Sequence, residues 1–270
     1  MCALRTYACA PMPTLVFVAA HPDDDTFAIG RSIAIHRSDP DLRFVLIVAT
    51  DGGAGEIAPD VDATRATLGS IRRLEDAASW ETIGRPPDRV VWLGLLDGGL
   101  PDLDPALLLE PIWEIFSEER PDVVATFGPD GVTAHPDHLA VGRATTDAFM
   151  RGVESGSPGF RRLLYGGIPQ SQIDRWNANL AVEGLPTWDA SLPYHIRGIP
   201  DETIGITVDT RQVAELAVAA IRAHRSQWSP LQVDVSDEVL VKSLRREDWV
   251  IAWPPLPQGG PVMTDILEGI

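Results

Sequence analysis

The chain has 270 residues, enough to bury a sizeable core without disulfide or metal staples. Its 44% hydrophobic and 23% charged residues exclude a disordered or fibrous chain, and no apolar run reaches the roughly 18 residues of a membrane span. Lys and Arg number 22 against 39 Asp and Glu, and the resulting charge of −17 would repel a phosphate backbone, so nucleic acid is not an expected partner.

In chain order, Met1 to Pro11 lacks the basic start and apolar stretch of a signal peptide. It reads as an N-terminal tail, or as extra residues ahead of a natural start at Met12. Both cysteines, Cys2 and Cys9, fall in it, which excludes a disulfide framework and favours a reducing, cytoplasmic location. Leu15–Ala20 is a continuous apolar run that predicts a strand buried on both faces. A helix is expected from about Phe27 to His36, and a second buried strand over Arg43–Ala49. The glycine-rich stretch Thr50–Gly55 follows as a loop. Asp62–Gly84 reads as a long helix with Ile71, Leu74, Ala78 and Ile83 on one face and Gly84 just past its end.

Val90–Leu93 predicts a short strand, Pro105–Glu119 a helix, Asp122–Phe127 a strand and Asp137–Arg151 a helix. Such alternation implies βαβ units: an α/β, Rossmann-like three-layer sandwich with a mainly parallel sheet. Gly166–Asp201 shows no clear period and reads as a long irregular excursion, the kind of loop that serves as lid or binding wall. A strand over Thr203–Val208 and a helix over Thr210–Ser226 restore regularity, the helix carrying Val213, Leu216, Ala217, Ala220, Ile221 and His224 on one face. Arg246–Trp253 is the last strand candidate. No repeat or linker divides the chain, so residues 12–270 are expected to form a single domain.

The chemistry gathers in two short motifs. Ala20-His21-Pro22-Asp23-Asp24-Asp25 stands where a buried strand ends, the place where α/β sheets collect function. Its bland reading is a solvated turn with an Asp helix cap. The sharper one is a metal site using His21 and one Asp, with a second Asp left for proton transfer. The other motif, His135-Pro136-Asp137-His138, also follows a strand-like run. Alone, each histidine there is more often a surface or capping residue. Together, two strand ends each carrying His-Pro-Asp make coincidence improbable, since half of the six histidines fall in these two motifs. His21 and Asp24 joined by His138 supply three N/O ligands and leave the open position of a catalytic zinc. That donor set with water suits zinc and also binds iron(II), cobalt or nickel.

These two motifs resemble those of the LmbE-like, or PIG-L, zinc-dependent N-acetylglucosaminyl deacetylases, a superfamily that includes the mycothiol- and bacillithiol-type enzymes. Ala20–Asp25 matches the family's AHPDD(E) motif and His135–His138 its HPDH motif. Weaker matches are Thr50–Gly55, Arg72-x-x-Glu75, Leu93–Gly99 and His224-Arg225-Ser226-Gln227. The resemblance covers most of the chain and implies the LmbE-like deacetylase fold, one divalent metal per chain and hydrolysis of a linear amide. It implies His21, Asp24 and His138 as zinc ligands, Asp23 as general base, His135 facing the oxyanion and Asp137 orienting a histidine. Arg72 and Asp97 match positions that contact the sugar. The implied partner is a small N-acetylated amino sugar or glycoconjugate, and a homo-oligomer is implied by the family alone. Two departures stand out: Asp25 replaces the usual Glu, and Gly53 stands where many members carry Glu.

Under the implied mechanism, zinc lowers the pKa of water to about 7, Asp23 takes its proton, and zinc with a protonated His135 stabilises the oxyanion. The rival readings are an amidase on a larger thiol–sugar conjugate and a non-catalytic, metal-stabilised sugar-binding protein. Pure binding needs neither Asp23 nor His135. A nucleotide enzyme is disfavoured because Thr50–Gly55 lacks the Walker spacing and its Lys, and G-x-G-x-x-G is absent. Arg72 read alone is a solvated helix residue paired with Asp76 at i+4, and His224 a buried, satisfied histidine. Trp176 and Trp188, both in the irregular excursion, are candidates to stack on a sugar ring.

Overall fold

Why the first strand is apolar without alternation is evident from its neighbours. In the computed structural model, which describes residues 12–227, 235–255 and 259–270, β1 (Thr14–Ala19) lies inside a seven-stranded sheet and packs on both faces. Leu15, Phe17 and Ala19 enter one core, while Val16, Val18 and Ala20 enter the other. β2 (Arg43–Thr50) divides in the same way, with Phe44, Leu46 and Val48 on the first face and Val45, Ile47 and Ala49 on the second. This period-2 division is what helix-covered parallel sheets demand of their inner strands.

Between β1 and β2 lie two short helices, α1 (Asp24–Ala28) and α2 (Gly30–Ile35), where one was expected. The long helix α3 (Leu68–Ile83) follows the glycine-rich loop, then β3 (Arg89–Leu95), α4 (Ala106–Glu119) and β4 (Val123–Phe127). The one-turn α5 (Gly131–Ala134) leads into α6 (Pro136–Glu154) and β5 (Arg162–Gly166). After these come α7 (Gln170–Val182), β6 (Ile206–Asp209), α8 (Ala214–Ile221), α9 (Asp237–Ser243) and β7 (Arg246–Trp253).

The strand order is β3-β2-β1-β4-β5-β7-β6, parallel from β3 through β5, with β7 antiparallel to both of its neighbours. From β1 the chain runs outward to β3, then returns to place β4 on the other side of β1. The order therefore reverses between β1 and β4, and in open α/β sheets ligands bind outside the carboxyl ends of strands at such a switch point. The motif at 20–25 leaves β1 there, and that at 135–138 follows β4. Register places Val16 beside Val124, so the two strand ends open side by side.

Several expectations need correction. The α3 helix starts at Leu68 rather than Asp62, and Gly84 closes it in a left-handed conformation (φ 77°) that its missing Cβ makes free. Its buried face is Leu68, Arg72, Asp76, Ser79, Trp80 and Ile83, whereas Leu74 is 72% exposed. Arg72 turns inward because it bonds to the loops at the sheet's carboxyl edge, through the Pro22 and Gly52 carbonyls. The Thr210–Ser226 helix is shorter than its pattern: 3₁₀ turns at Arg211–Val213 and Arg225–Gln227 flank α8. The excursion over Gly166–Asp201 is not all irregular, since α7 occupies its first half, anchored by Gln172, Ile173 and Leu180. Strand β5, which links β4 to β7, carried no clear sequence signal. Residues 1–11, the expected tail with Cys2 and Cys9, lie outside the described residues. No helix among the described residues is long and apolar enough to cross a membrane.

Candidate active site

Just beyond β1 the backbone folds into a tight turn held by side-chain carboxylates. The Asp24 carboxylate accepts hydrogen bonds from the backbone N–H groups of Ala20 (3.2 Å) and His21 (2.8 Å) through Oδ2. The same oxygen lies 3.4 Å from His21 Nδ1, and Oδ1 lies 3.2 Å from His138 Nε2. Asp24 thus bridges the two motifs. Burial alone would raise its pKa, but His138 and His21 hold it well below the ordinary carboxylate range.

His138 comes from the first turn of α6. Its Nδ1 donates to the Gly131 carbonyl (3.0 Å), which orients the ring so that Nε2 faces Asp24. Phe127, the last residue of β4, stacks on the ring with centroids 4.1 Å apart. His135 caps α6, with Pro136 at the first helical position. Its Nδ1 accepts from the Asp137 backbone N–H (3.2 Å), so the ring's proton sits on Nε2. Burial, together with repulsion from His21 and His138, holds the His135 pKa down to about 4. His135 is therefore neutral at pH 7 in this arrangement, a donor through Nε2–H without a charge.

His21 is ringed by carboxylates. Its Nε2 lies 3.1 Å from Asp97 Oδ1 and 3.3 Å from Asp137 Oδ2. Burial alone would lower its pKa, yet Asp137, Asp24 and Asp97 hold it well above the ordinary value. Asp137 is fixed in turn by the Gly98 and Leu100 backbone N–H groups at 2.7 and 3.2 Å. Asp97 accepts from the Ala54 N–H (2.7 Å), and its pKa is pushed down to about 2: burial opposes the shift, but contact with His21 outweighs it.

Asp23 stands beside this cluster without joining it. Its φ of 132° is one that L-residues rarely adopt, and such strain persists only where surroundings over-determine it. Arg72, from α3, provides that constraint. It donates to the Pro22 carbonyl (2.9 Å) and the Gly52 carbonyl (2.9 Å), and its Nη2 lies 3.1 Å from Asp23 Oδ2. Thr26 Oγ1 donates to the Asp23 carbonyl and lies 2.8 Å from His224 Nε2, so the buried His224 is tied to the same turn. Burial pushes the Asp23 carboxyl up to about 6, with Arg72 opposing the shift and Asp24 adding to it.

The expected site residues are therefore gathered, with one difference in arrangement. His21, Asp24, His138, Asp23, His135, Asp137 and Asp97 all meet at the carboxyl ends of β1, β3 and β4. Arg72 is only 4% exposed and turned toward Asp23, away from its expected helical partner Asp76 and away from solvent. Asp97 faces His21 and the Ala54 N–H, and Arg72 directs Nη1 and Nη2 to the protein itself.

A second layer lies beneath. Trp80 Nε1 donates to Asp25 Oδ2 (2.6 Å), and Asp76 faces the same carboxyl. Burial, then mutual repulsion, pushes Asp76 up to about 10, so this carboxyl pair holds a proton at neutral pH. Glu75 accepts from the Ser226 N–H and hydroxyl at 2.8 and 2.6 Å, which joins two of the weak motifs, Arg72-x-x-Glu75 and His224–Gln227. Gly53 donates its N–H to Asp51 Oδ1 (3.0 Å) and has no side chain to offer the site.

The donor set fits a divalent transition metal. Ligand atoms of His21, His135 and His138 lie within 4.8 Å of one another, as do those of His21, Asp97 and Asp137. Asp24 touches two of these histidines, and three carboxylates already converge on one raised imidazole, a place where positive charge is favoured.

Residues 16–149 match the family described as PIG-L: GlcNAc-PI de-N-acetylase. A 1D-myo-inositol 2-acetamido-2-deoxy-α-D-glucopyranoside deacetylase of Frankia casuarinae is 29% identical, over 96% of both chains. An enzyme of the same description from Tsukamurella paurometabola is 32% identical, over 79% of this chain and 82% of its own. The chain belongs to the PIG-L family. The fold agrees with this membership: the N,N'-diacetylchitobiose deacetylase of Pyrococcus horikoshii superposes with a TM-score of 0.60 at 22% identity, over 88% of this chain and 83% of that one. Within the PIG-L chain described here, the matched segment runs from β1 into α6 and so contains both histidine motifs.

Proposed function

We propose that the chain hydrolyses the N-acetyl amide of an N-acetylglucosamine-type sugar or conjugate, releasing acetate and a free amine. The observation that carries this reading is the division of labour between adjacent carboxylates: Asp24 is committed to His21 and His138, while Asp23 stays outside the cluster yet faces the same cavity. A binding protein has no use for that second carboxylate. The names of the Frankia and Tsukamurella relatives support the choice of amino sugar.

His21, Asp24 and His138 are the residues that would hold the metal, with zinc as the first candidate. When bound, such an ion supplies a Lewis acid for the amide carbonyl and brings the pKa of water to about 7. Asp23, ionised at neutral pH and steadied by Arg72, takes a proton from the attacking water. Attack places negative charge on the carbonyl oxygen, and His135 Nε2–H is the donor available to it. The C–N bond then breaks as Asp23 returns its proton to the departing nitrogen. Asp97 and Asp137 hold His21, and Arg72 holds the turn that presents Asp23. We assign Arg72 and Asp97 to positioning rather than to contact with the sugar.

The test is amine release from a panel of N-acetylated sugars, with and without chelator. Asp23→Asn should lose about 10²–10⁴-fold in kcat while still binding one metal per chain. Release that resists chelation, or that survives Asp23→Asn undiminished, would defeat the proposal.

A further inference from the structure

A cavity of about 360 Å³ has Asp23, Asp24 and His138 on its lining, within the ~300–1,000 Å³ of small-molecule sites. It is much larger than an acetyl group needs. Beyond the carboxylates its walls are mostly apolar, formed by Phe27, Phe127, Trp176 and Leu180 of α7, Trp188 of the segment after it, and Leu240 of α9, with Thr133, Tyr194 and Ser243 as scattered hydroxyls. The other charged groups of the lining are already paired. Arg31 lies 3.2 Å from Glu247, and Arg246 pairs with Asp248. Of the fully buried polar atoms on that wall, Gln172 Oε1 alone has no partner among the described residues.

This lining is a poor match for the polar ring that the relatives' names describe. A polyol inside it would bring many hydroxyls and find few partners, and each buried hydroxyl left unpaired is costly. Charged groups fare no better, because the lining charges neutralise one another. An aliphatic or aryl group fills the same walls at no such cost.

The geometry points to a substrate with an apolar substituent, roughly a medium-length alkyl chain or an aryl ring, seated against Trp176, Leu180, Trp188 and Leu240. This inference rests on the deacetylase reading above and narrows its substrate class. The substituent could sit on the acyl side or on the aglycone side of the amide, and the chemistry is the same. The two expected sugar-stacking tryptophans then belong to the apolar subsite.

The experiment uses metal-loaded full-length protein and two homologous series, alkyl glycosides of N-acetylglucosamine and N-acylglucosamines, each from one to eight carbons. The myo-inositol conjugate is the polar control. Amine release gives kcat/KM, and quenching of tryptophan fluorescence gives binding at concentrations below micelle formation. In one series kcat/KM should rise up to about fourfold per methylene, as expected for carbons leaving water, and should exceed the inositol conjugate by at least tenfold. The series that rises identifies the side. Leu180→Asn should flatten that slope. If the variant does not fold, the wild-type slope alone decides.

Amine release that is flat or falling with chain length, with the inositol conjugate preferred, would overturn the apolar subsite while leaving the deacetylase standing. If no amine is released from any compound, the deacetylase reading fails. Binding that still tightens with chain length would then uphold the subsite, and binding indifferent to length would overturn it.

Discussion

Replacing Arg72 with Met retains most of the alkyl stem and removes only the guanidinium. At 4% exposure that group bonds two backbone carbonyls, those of Pro22 and Gly52, and stands 3.1 Å from Asp23. Removing one partner of a buried pair leaves the other charge uncompensated and typically costs about 3–5 kcal/mol. For a chain of this size that is a fall in Tm on the order of 10 °C. Arg72 also opposes the upward push of burial on Asp23, whose pKa is already about 6. Without it the carboxyl moves higher and fewer molecules hold the base ionised at pH 7, so kcat should fall more than KM rises. Urea and thermal unfolding give the stability term, and steady-state amine release gives the kinetic one. The double variant Arg72→Met/Asp23→Asn should lose less than the sum of the singles, by at least about 1 kcal/mol, because neither charge is then left alone. A variant of unchanged Tm with a raised KM would refute this reasoning and return Arg72 to the sugar.

Two further outcomes follow from groups outside the reacting centre. Trp80→Phe keeps a ring against Phe44 but deprives the buried Asp25 carboxyl of its 2.6 Å donor; denaturant unfolding should show a loss of about 1–3 kcal/mol, and a loss under half a kcal/mol would mean Asp25 is satisfied otherwise. His36 of the turn after α2 lies 2.9 Å from Asp265 near the C-terminus, and that contact, outweighing burial, raises its pKa above the ordinary 6.5. A raised imidazole pKa contributes stability that is complete below its unfolded value and is lost as pH rises through the folded one. The gap in unfolding free energy between wild type and His36→Gln, about 1 kcal/mol at most for so accessible a pair, should therefore be widest under acid conditions below 6.5 and close above the raised pKa. A gap that widened toward alkaline pH would contradict the assignment.

The parts of the site that were legible share a local origin. His21, Asp23 and Asp24 follow within a few residues of an apolar run that reads as a buried strand, and His135 and His138 lie in the loop and helix start after another, so their position at strand ends is readable without coordinates. What was not legible depends on partners distant in sequence. The inward turn of Arg72 follows from Asp23, Pro22 and Gly52, none of which leaves a mark on the helix itself. For the same reason the apolar count misjudged the buried face of α3: Leu74 looks like core, while Asp76 and Ser79 look like surface. The short β5 strand opens with Arg162, whose guanidinium donates to the Ile266 and Glu268 carbonyls, bonds made far along the chain that conceal a buried strand behind a charge. α7 went unseen because only Gln172, Ile173 and Leu180 of its residues are buried, too few to impose a 3.6-residue period. Its Trp176, named together with Trp188 as a stacking candidate, gains meaning only when the cavity gathers it with Leu240 of α9.

The convergence of carboxylates on His21 makes the site's response to metal a sharp test. Asp24, Asp97 and Asp137 all contact one imidazole, with Asp23 and the Asp25–Asp76 pair immediately behind. In a chain already at −17, such an arrangement folds against its own repulsion, and a divalent cation offsets it directly. A ligand that binds only the folded state at a hundred times its Kd adds about 2.7 kcal/mol to stability. Zinc, cobalt or iron(II) added to chelator-treated protein should accordingly raise Tm by several degrees, with protons released because ligating groups must give theirs up. His138→Ala should abolish most of that rise, since Asp24 loses one of the two histidines it bridges. Asp23→Asn should preserve it, because Asp23 contacts Arg72 rather than either histidine. An equal rise in wild type and His138→Ala would place the ion elsewhere and detach the metal from the two histidine motifs.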